Sequence, residues 1–75
     1  MTPDNFQRVL RRFLRHSPFR PFTLELLSGG RLEVNHPEAI SVNRRGVVVV
    51  ESTTRVRSIF EVTEVVRFIT ATGTT

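Results

Sequence analysis

The chain has 75 residues, 39% of them hydrophobic and 24% charged, a balance that places it among globular chains as one small domain. It contains no cysteine, which excludes disulfides, thiolate metal sites and thiol nucleophiles. Eleven basic residues, every one an arginine, stand against seven acidic ones, for a formal charge of +4.

A membrane-spanning helix needs roughly 20 apolar residues, and the longest purely aliphatic run is Val47 to Val50. Arg8, Arg11 and Arg12 interrupt the N-terminal apolar stretch, so no secretory signal is expected and the expected location is the cytoplasm. A core this small supplies about 3–5 kcal/mol without a staple. Self-association through exposed strand edges is therefore expected, giving a homo-oligomer.

Thr2-Pro3-Asp4 is a helix start: a hydroxyl cap, proline at the first helical position and a carboxylate at the positive end of the dipole. Phe6, Val9, Leu10, Phe13 and Leu14 then recur at helical spacing as one apolar stripe. Arg8, Arg11, Arg12 and Arg15 recur at the same spacing on the opposite side. The spacing predicts a helix over 3–16, ended at Ser17 by Pro18.

Pro18-Phe19-Arg20-Pro21-Phe22 is expected to be irregular, with Phe19 and Phe22 as hydrophobic anchors between helix and sheet. Strands follow over 22–27 and 31–35, joined by Ser28-Gly29-Gly30, where the glycines supply the positive φ angles of a tight hairpin. Asn35-His36-Pro37-Glu38 reads as a bend, because Pro37 has no N–H for a central ladder. Further strands are expected over 39–43, 47–52, 55–60 and 65–70, with turns at Asn43-Arg44-Arg45-Gly46 and Ser52-Thr53-Thr54 and a single helical turn at Glu61 to Glu64. Residues 71–75 read as a frayed tail. The expected fold is α+β: an N-terminal helix covering a strongly bent, five-stranded antiparallel sheet or small barrel, all in a single domain over 1–75.

Two resemblances rest on these residues. Pro18-Phe19-Arg20-Pro21-Phe22, Leu24, Leu26, Gly30-Arg31, Val34 and His36-Pro37-Glu38, in this order, resemble a family of small uncharacterised bacterial proteins, which implies no activity. The order of elements, together with Leu26-Leu27-Ser28-Gly29-Gly30-Arg31-Leu32, resembles the first hairpin of the Sm-like fold in its Hfq branch. That resemblance implies a small barrel and places Arg11, Arg12 and Arg15 where the branch carries arginines on the rim of its ring. The chain departs from it at Val34, near Ile40, and at Ser58-Ile59-Phe60-Glu61, where the uridine-contacting Lys-His pair is missing. SH3-like barrels share the same sheet geometry.

The arginine stripe is the strongest functional feature. Four like charges on one helix face repel by a few tenths of a kcal/mol per pair, and Asp4 is the only acid on the helix. A phosphate backbone relieves that repulsion and releases counterions. The alternative is a solvated face, or one paired with glutamates of the sheet or of another subunit. Arg44 and Arg45, at a hairpin tip, extend the patch or serve as ordinary turn residues. Exclusive use of arginine fits either a GC-rich genome or bidentate phosphate contacts.

Phe6, Phe13, Phe22, Phe60 and Phe68 fall at core-facing positions, leaving Phe19 as the one aromatic in irregular structure. His36 and Glu38 fall short of the three or four ligands of a zinc site. Gly29-Gly30 lies between strands and opens no helix, so it forms no phosphate-binding loop. No catalytic residue, metal, cofactor, small-molecule substrate or membrane is expected. The sequence points to a non-enzymatic basic module that binds nucleic acid, RNA first, through Arg8, Arg11, Arg12, Arg15, Arg44 and Arg45. The alternative is a protein–protein interaction or self-assembly module.

Overall fold

A computed structural model describes residues 1–70 and 73–74 of the chain. The Thr2 hydroxyl accepts the Asn5 N–H at 3.3 Å and caps helix α1 (Pro3–Arg15). The helix stops one residue before the expected end. His16 has left helical geometry, with ψ at 130°, and its ring Nδ1 lies 3.0 Å from the Pro18 carbonyl. Phe6, Val9 and Leu10 are buried, and Phe13 and Leu14 pack beside them half-buried, so the apolar stripe is the face laid on the sheets.

Among the described residues seven antiparallel strands follow: β1 (Phe22–Leu26), β2 (Arg31–Val34), β3 (Ile40–Val42), β4 (Val47–Glu51), β5 (Arg57–Glu61), β6 (Val65–Thr70) and β7 (Gly73–Thr74). They do not form the single five-stranded sheet or closed barrel that the sequence suggests. One sheet has the order β2-β1-β6-β7, the other β3-β4-β5, and neither closes. The split has two local causes. Pro37–Ala39 coils into a 3-10 turn that separates β2 from β3, and Val62–Glu64 does the same between β5 and β6. A proline at the first position of the first turn offers no N–H to carry a ladder through it. The second turn is fastened by a capping box. Glu61 and Glu64 each cap the other's backbone N–H, the Glu61 N–H reaching the Glu64 carboxylate at 2.8 Å.

Strand limits shift from expectation where side chains or backbone compete with the ladder. Ala39 belongs to the 3-10 turn, so β3 starts at Ile40. Arg55 adopts a left-handed φ of 64°, and its N–H donates to the Ser52 carbonyl at 2.9 Å, which delays β5 to Arg57. In the first hairpin only Gly29, at φ 89°, needs the left-handed region, and Gly30 does not. Of the expected tail, residues 71, 72 and 75 lie outside the described residues, whereas Gly73 and Thr74 pair with Thr70 and Ile69.

The core lies between the inner faces of the two sheets and under α1. Leu24 of β1, Val34 of β2, Val48 and Val50 of β4 and Phe60 of β5 are buried there. Such side chains contribute roughly 1.5–3 kcal/mol each on complete burial. β6 adds both Val65 and Phe68, which a regular strand would place on opposite faces. A register shift makes this possible: Leu26 pairs with Val65 and Glu25 with Arg67, leaving Val66 as an extra residue. The rings of Phe6, Phe13, Phe22 and Phe68 then join helix to sheet at centroid separations of 4.9–5.5 Å. Phe19 is half-buried against Phe22 at 6.1 Å, a plug and not an exposed ring.

Candidate nucleic-acid interface

With its apolar stripe on the sheets, α1 must turn the opposite side to solvent. Arg8, Arg11, Arg12 and Arg15 are all exposed there. At 100° per residue they occupy a sector of about 100°, and at 1.5 Å rise they span about 10 Å of helix. The Arg8 guanidinium donates to the Asn5 side-chain oxygen, which orients it along the helix. Arg12 and Arg15 lie in the last turn, where the negative end of the helix dipole favours a cation by a few tenths of a kcal/mol.

None of the four makes an ion pair among the described residues. The ion pairs belong instead to arginines of the sheets: Arg31 and Arg67 to Glu25, at 3.2 and 3.0 Å, and Arg57 to Glu51 at 3.7 Å. Glu61 and Glu64 are committed to the capping box. The glutamates that could neutralise the helix are thus held by other groups or lie beyond ion-pair distance of it. The intramolecular version of the paired face is therefore absent among the described residues.

Arg44 and Arg45 are exposed in the turn between β3 and β4. The Asn43 side-chain oxygen accepts the N–H groups of Arg45 and Val47 at 2.8 and 3.0 Å, and Gly46 closes the turn at φ 81°. Gly46 also ties this turn to the helix start. Its carbonyl accepts the Val62 N–H at 2.8 Å, and a Cβ placed on it would lie 4.0 Å from Pro3. The structure therefore brings the Arg44-Arg45 turn to the N-terminal end of α1, while Arg15 marks the other end. Arg20 is a further exposed arginine without an ion-pair partner among the described residues. Sequence reasoning passed over it because it lies in irregular chain with no periodicity to read.

No family model, curated protein or solved structure matches the chain. Function must be argued from the site alone.

No phenylalanine is exposed, so the described surface offers no open aromatic platform for stacked bases. His36, Glu38 and Glu51 line one shallow depression of about 230 Å³. No group of three or more histidine or acidic residues is placed to hold a metal ion among the described residues. No helix among them is long and apolar enough to cross a membrane.

Proposed function

We propose that this chain is a non-enzymatic binding module that holds the phosphate backbone of nucleic acid, RNA first, on the arginine face of α1. The observation that carries the reading is that Arg11, Arg12 and Arg15 make no ion pair among the described residues while the sheet glutamates serve the sheet arginines. Four guanidiniums within one sector repel each other, and a polyanion is the ligand that turns that repulsion into attraction. Arg44 and Arg45 extend the surface past the helix start. Contacts of this kind position a strand without reading its bases. The order of helix, hairpin, meander, 3-10 turn and returning β6 follows the element order of the Sm-like and SH3-like folds, without a closed barrel. The cytoplasm is the location that goes with this reading.

The test is anisotropy of labelled single-stranded RNA and duplex DNA, titrated at several salt concentrations. Four phosphate contacts give a log–log salt slope of about −2.8 on a single strand and about −3.6 on duplex DNA. Removing Arg11 and Arg15 together (R11A/R15A) should halve the slope, and the RNA-to-DNA ratio identifies the preferred strand. Binding no tighter than about millimolar near physiological salt, or a slope unmoved by R11A/R15A, refutes the proposal. The second reading, an interaction module without a nucleic-acid ligand, draws support from the open strand edges of both sheets.

A further inference from the structure

β5 is an outer strand of the three-stranded sheet and pairs with β4 alone among the described residues. At one end of that ladder the Ser52 N–H donates to the Val56 carbonyl at 2.9 Å. At the other the Val62 N–H donates to the Gly46 carbonyl at 2.8 Å. An antiparallel strand turns the polar groups of alternate residues to the same side. The even-numbered residues between Val56 and Val62 therefore bond to β4, and Arg57, Ile59 and Glu61 direct their backbone groups to the open edge.

The same three residues carry the side chains of the outer face. Ile59 is 68% exposed, and Arg57 and Glu61 are exposed on either side of it. Across the sheet Ile59 stands opposite Val49, Arg57 opposite Glu51, and Glu61 opposite Val47. An edge strand is ordinarily protected by lysine, proline or a bulge, and β5 carries neither residue and keeps an unbroken register with β4. What it carries is one positive charge, one apolar residue and one negative charge, evenly spaced.

We propose that β5 is a homodimer interface, formed by antiparallel pairing with β5 of a second copy about a two-fold axis at Ile59. Such an interface must be self-complementary, and this strand is. With Ile59 opposite its own copy, Arg57 of each chain stands opposite Glu61 of the other, so both flanking rows pair opposite charges. A parallel pairing in register would set arginine against arginine and glutamate against glutamate. The joined sheets form one six-stranded sheet with Val49, Ile59 and their copies as a continuous apolar row on its outer face. Ile59 exchanges hydrogen bonds with its copy, and the Arg57 N–H donates to the Glu61 carbonyl of the second copy. The Glu61 N–H is held by the Glu64 carboxylate, so the rung from Glu61 to the Arg57 carbonyl of the second copy forms only as the Glu64 side chain swings away and the capping box opens. The interface uses none of the α1 arginines and stands independently of the nucleic-acid reading.

Edge pairing of one short strand falls at the small end of interface sizes. Sedimentation analysis should therefore run from about 1 μM to about 1 mM, where a monomer–dimer equilibrium is expected. Arg57→Glu places like charges in both rows and should weaken the dimer by about tenfold or more. Glu61→Arg should do the same. An equimolar mixture of the two variants should recover the dimer, because every row then holds opposite charges again. Ile59→Arg sets two cations on the axis without touching the capping box. It therefore serves as the disrupting variant if circular dichroism shows that Glu61→Arg unsettles the turn. A wild-type chain that stays monomeric throughout the range overturns the proposal. So does a dimer indifferent to both Arg57→Glu and Ile59→Arg, or a mixture of two folded variants that does not reassociate.

Discussion

Phe68 is the side chain on which helix and sheet both depend, and Phe68→Leu measures how much the ring cluster contributes. It is 0% exposed, lies 5.3 Å from Phe6, stacks on Phe13 at 5.3 Å and 4°, and sits 5.5 Å from Phe22. Leucine keeps a branched apolar side chain in the site but loses the three ring contacts. Aromatic pairs contribute roughly 0.5–1.5 kcal/mol each beyond burial, and neighbours relax in part, so the expected loss is about 1.5–3 kcal/mol. Phe68→Ala, which also leaves a cavity, should cost about 3–5 kcal/mol. A core of this size supplies about 3–5 kcal/mol in all. At about 4–8 °C per kcal/mol for small domains, Phe68→Leu should lower Tm by roughly 6–24 °C. Far-UV circular dichroism is the appropriate assay, since the chain has neither tryptophan nor tyrosine to report by fluorescence. Leu27→Ala, at a side chain 72% exposed, is the control and should stay within about 0.5 kcal/mol of wild type. A Phe68→Leu protein that melts with the control would refute the view that these rings fasten α1 to the sheet.

The turn that carries Arg44 and Arg45 should be sensitive at two neighbouring positions. Asn43→Ala removes the acceptor for the Arg45 and Val47 N–H groups and should cost about 1–2 kcal/mol in urea denaturation. Gly46→Ala should cost more than Gly29→Ala by the same measurement. Both need a left-handed φ, but only at Gly46 would the new Cβ press on Val62, at 3.2 Å. Glu25→Gln releases Arg31 and Arg67 together, yet the arginine side chains are 64% and 47% exposed. Its cost should therefore stay below about 1 kcal/mol, and denaturation midpoints at low and high salt should converge.

The helix was legible because everything that makes it is local: the Thr2 cap, Pro3 at the first position and an apolar stripe at helical spacing. The single helical turn at Glu61 to Glu64 was legible for the same reason, although the mutual caps that fasten it were read only from the structure. The division into two sheets was not, because strand partners are chosen by contacts remote in sequence. Leu24 pairs with Phe68, and nothing near either residue announces the other. The valine run of β4 hides its own orientation, since four like residues show no alternation, although Val48 and Val50 point inward and Val47 and Val49 lie half-buried. The left-handed Arg55 could not be anticipated, because arginine carries no preference for that conformation. For the candidate site, the arginine stripe was plain in the sequence, but its want of a partner was not. That depends on where the glutamates fall once the sheets have formed, and on Arg31, Arg57 and Arg67 reaching them.

The pairing of β1 with β6 also sets an order of events during folding. The sheet β3-β4-β5 is a meander in which every strand bonds to its neighbour in sequence, so its loops are short and its closure entropy small. The other sheet holds β1 between β2 and β6, and its centre stays open until the far end of the chain arrives. Until then β1 presents an unpaired edge, and Phe13 and Phe22 lack the ring of Phe68 that packs against both. Long-range pairing of this kind slows folding relative to local contacts. A ribosome releasing this chain would thus complete β3-β4-β5 before the other sheet, and the rings of Phe6 and Phe13 on the arginine helix would meet Phe68 only once β6 has emerged.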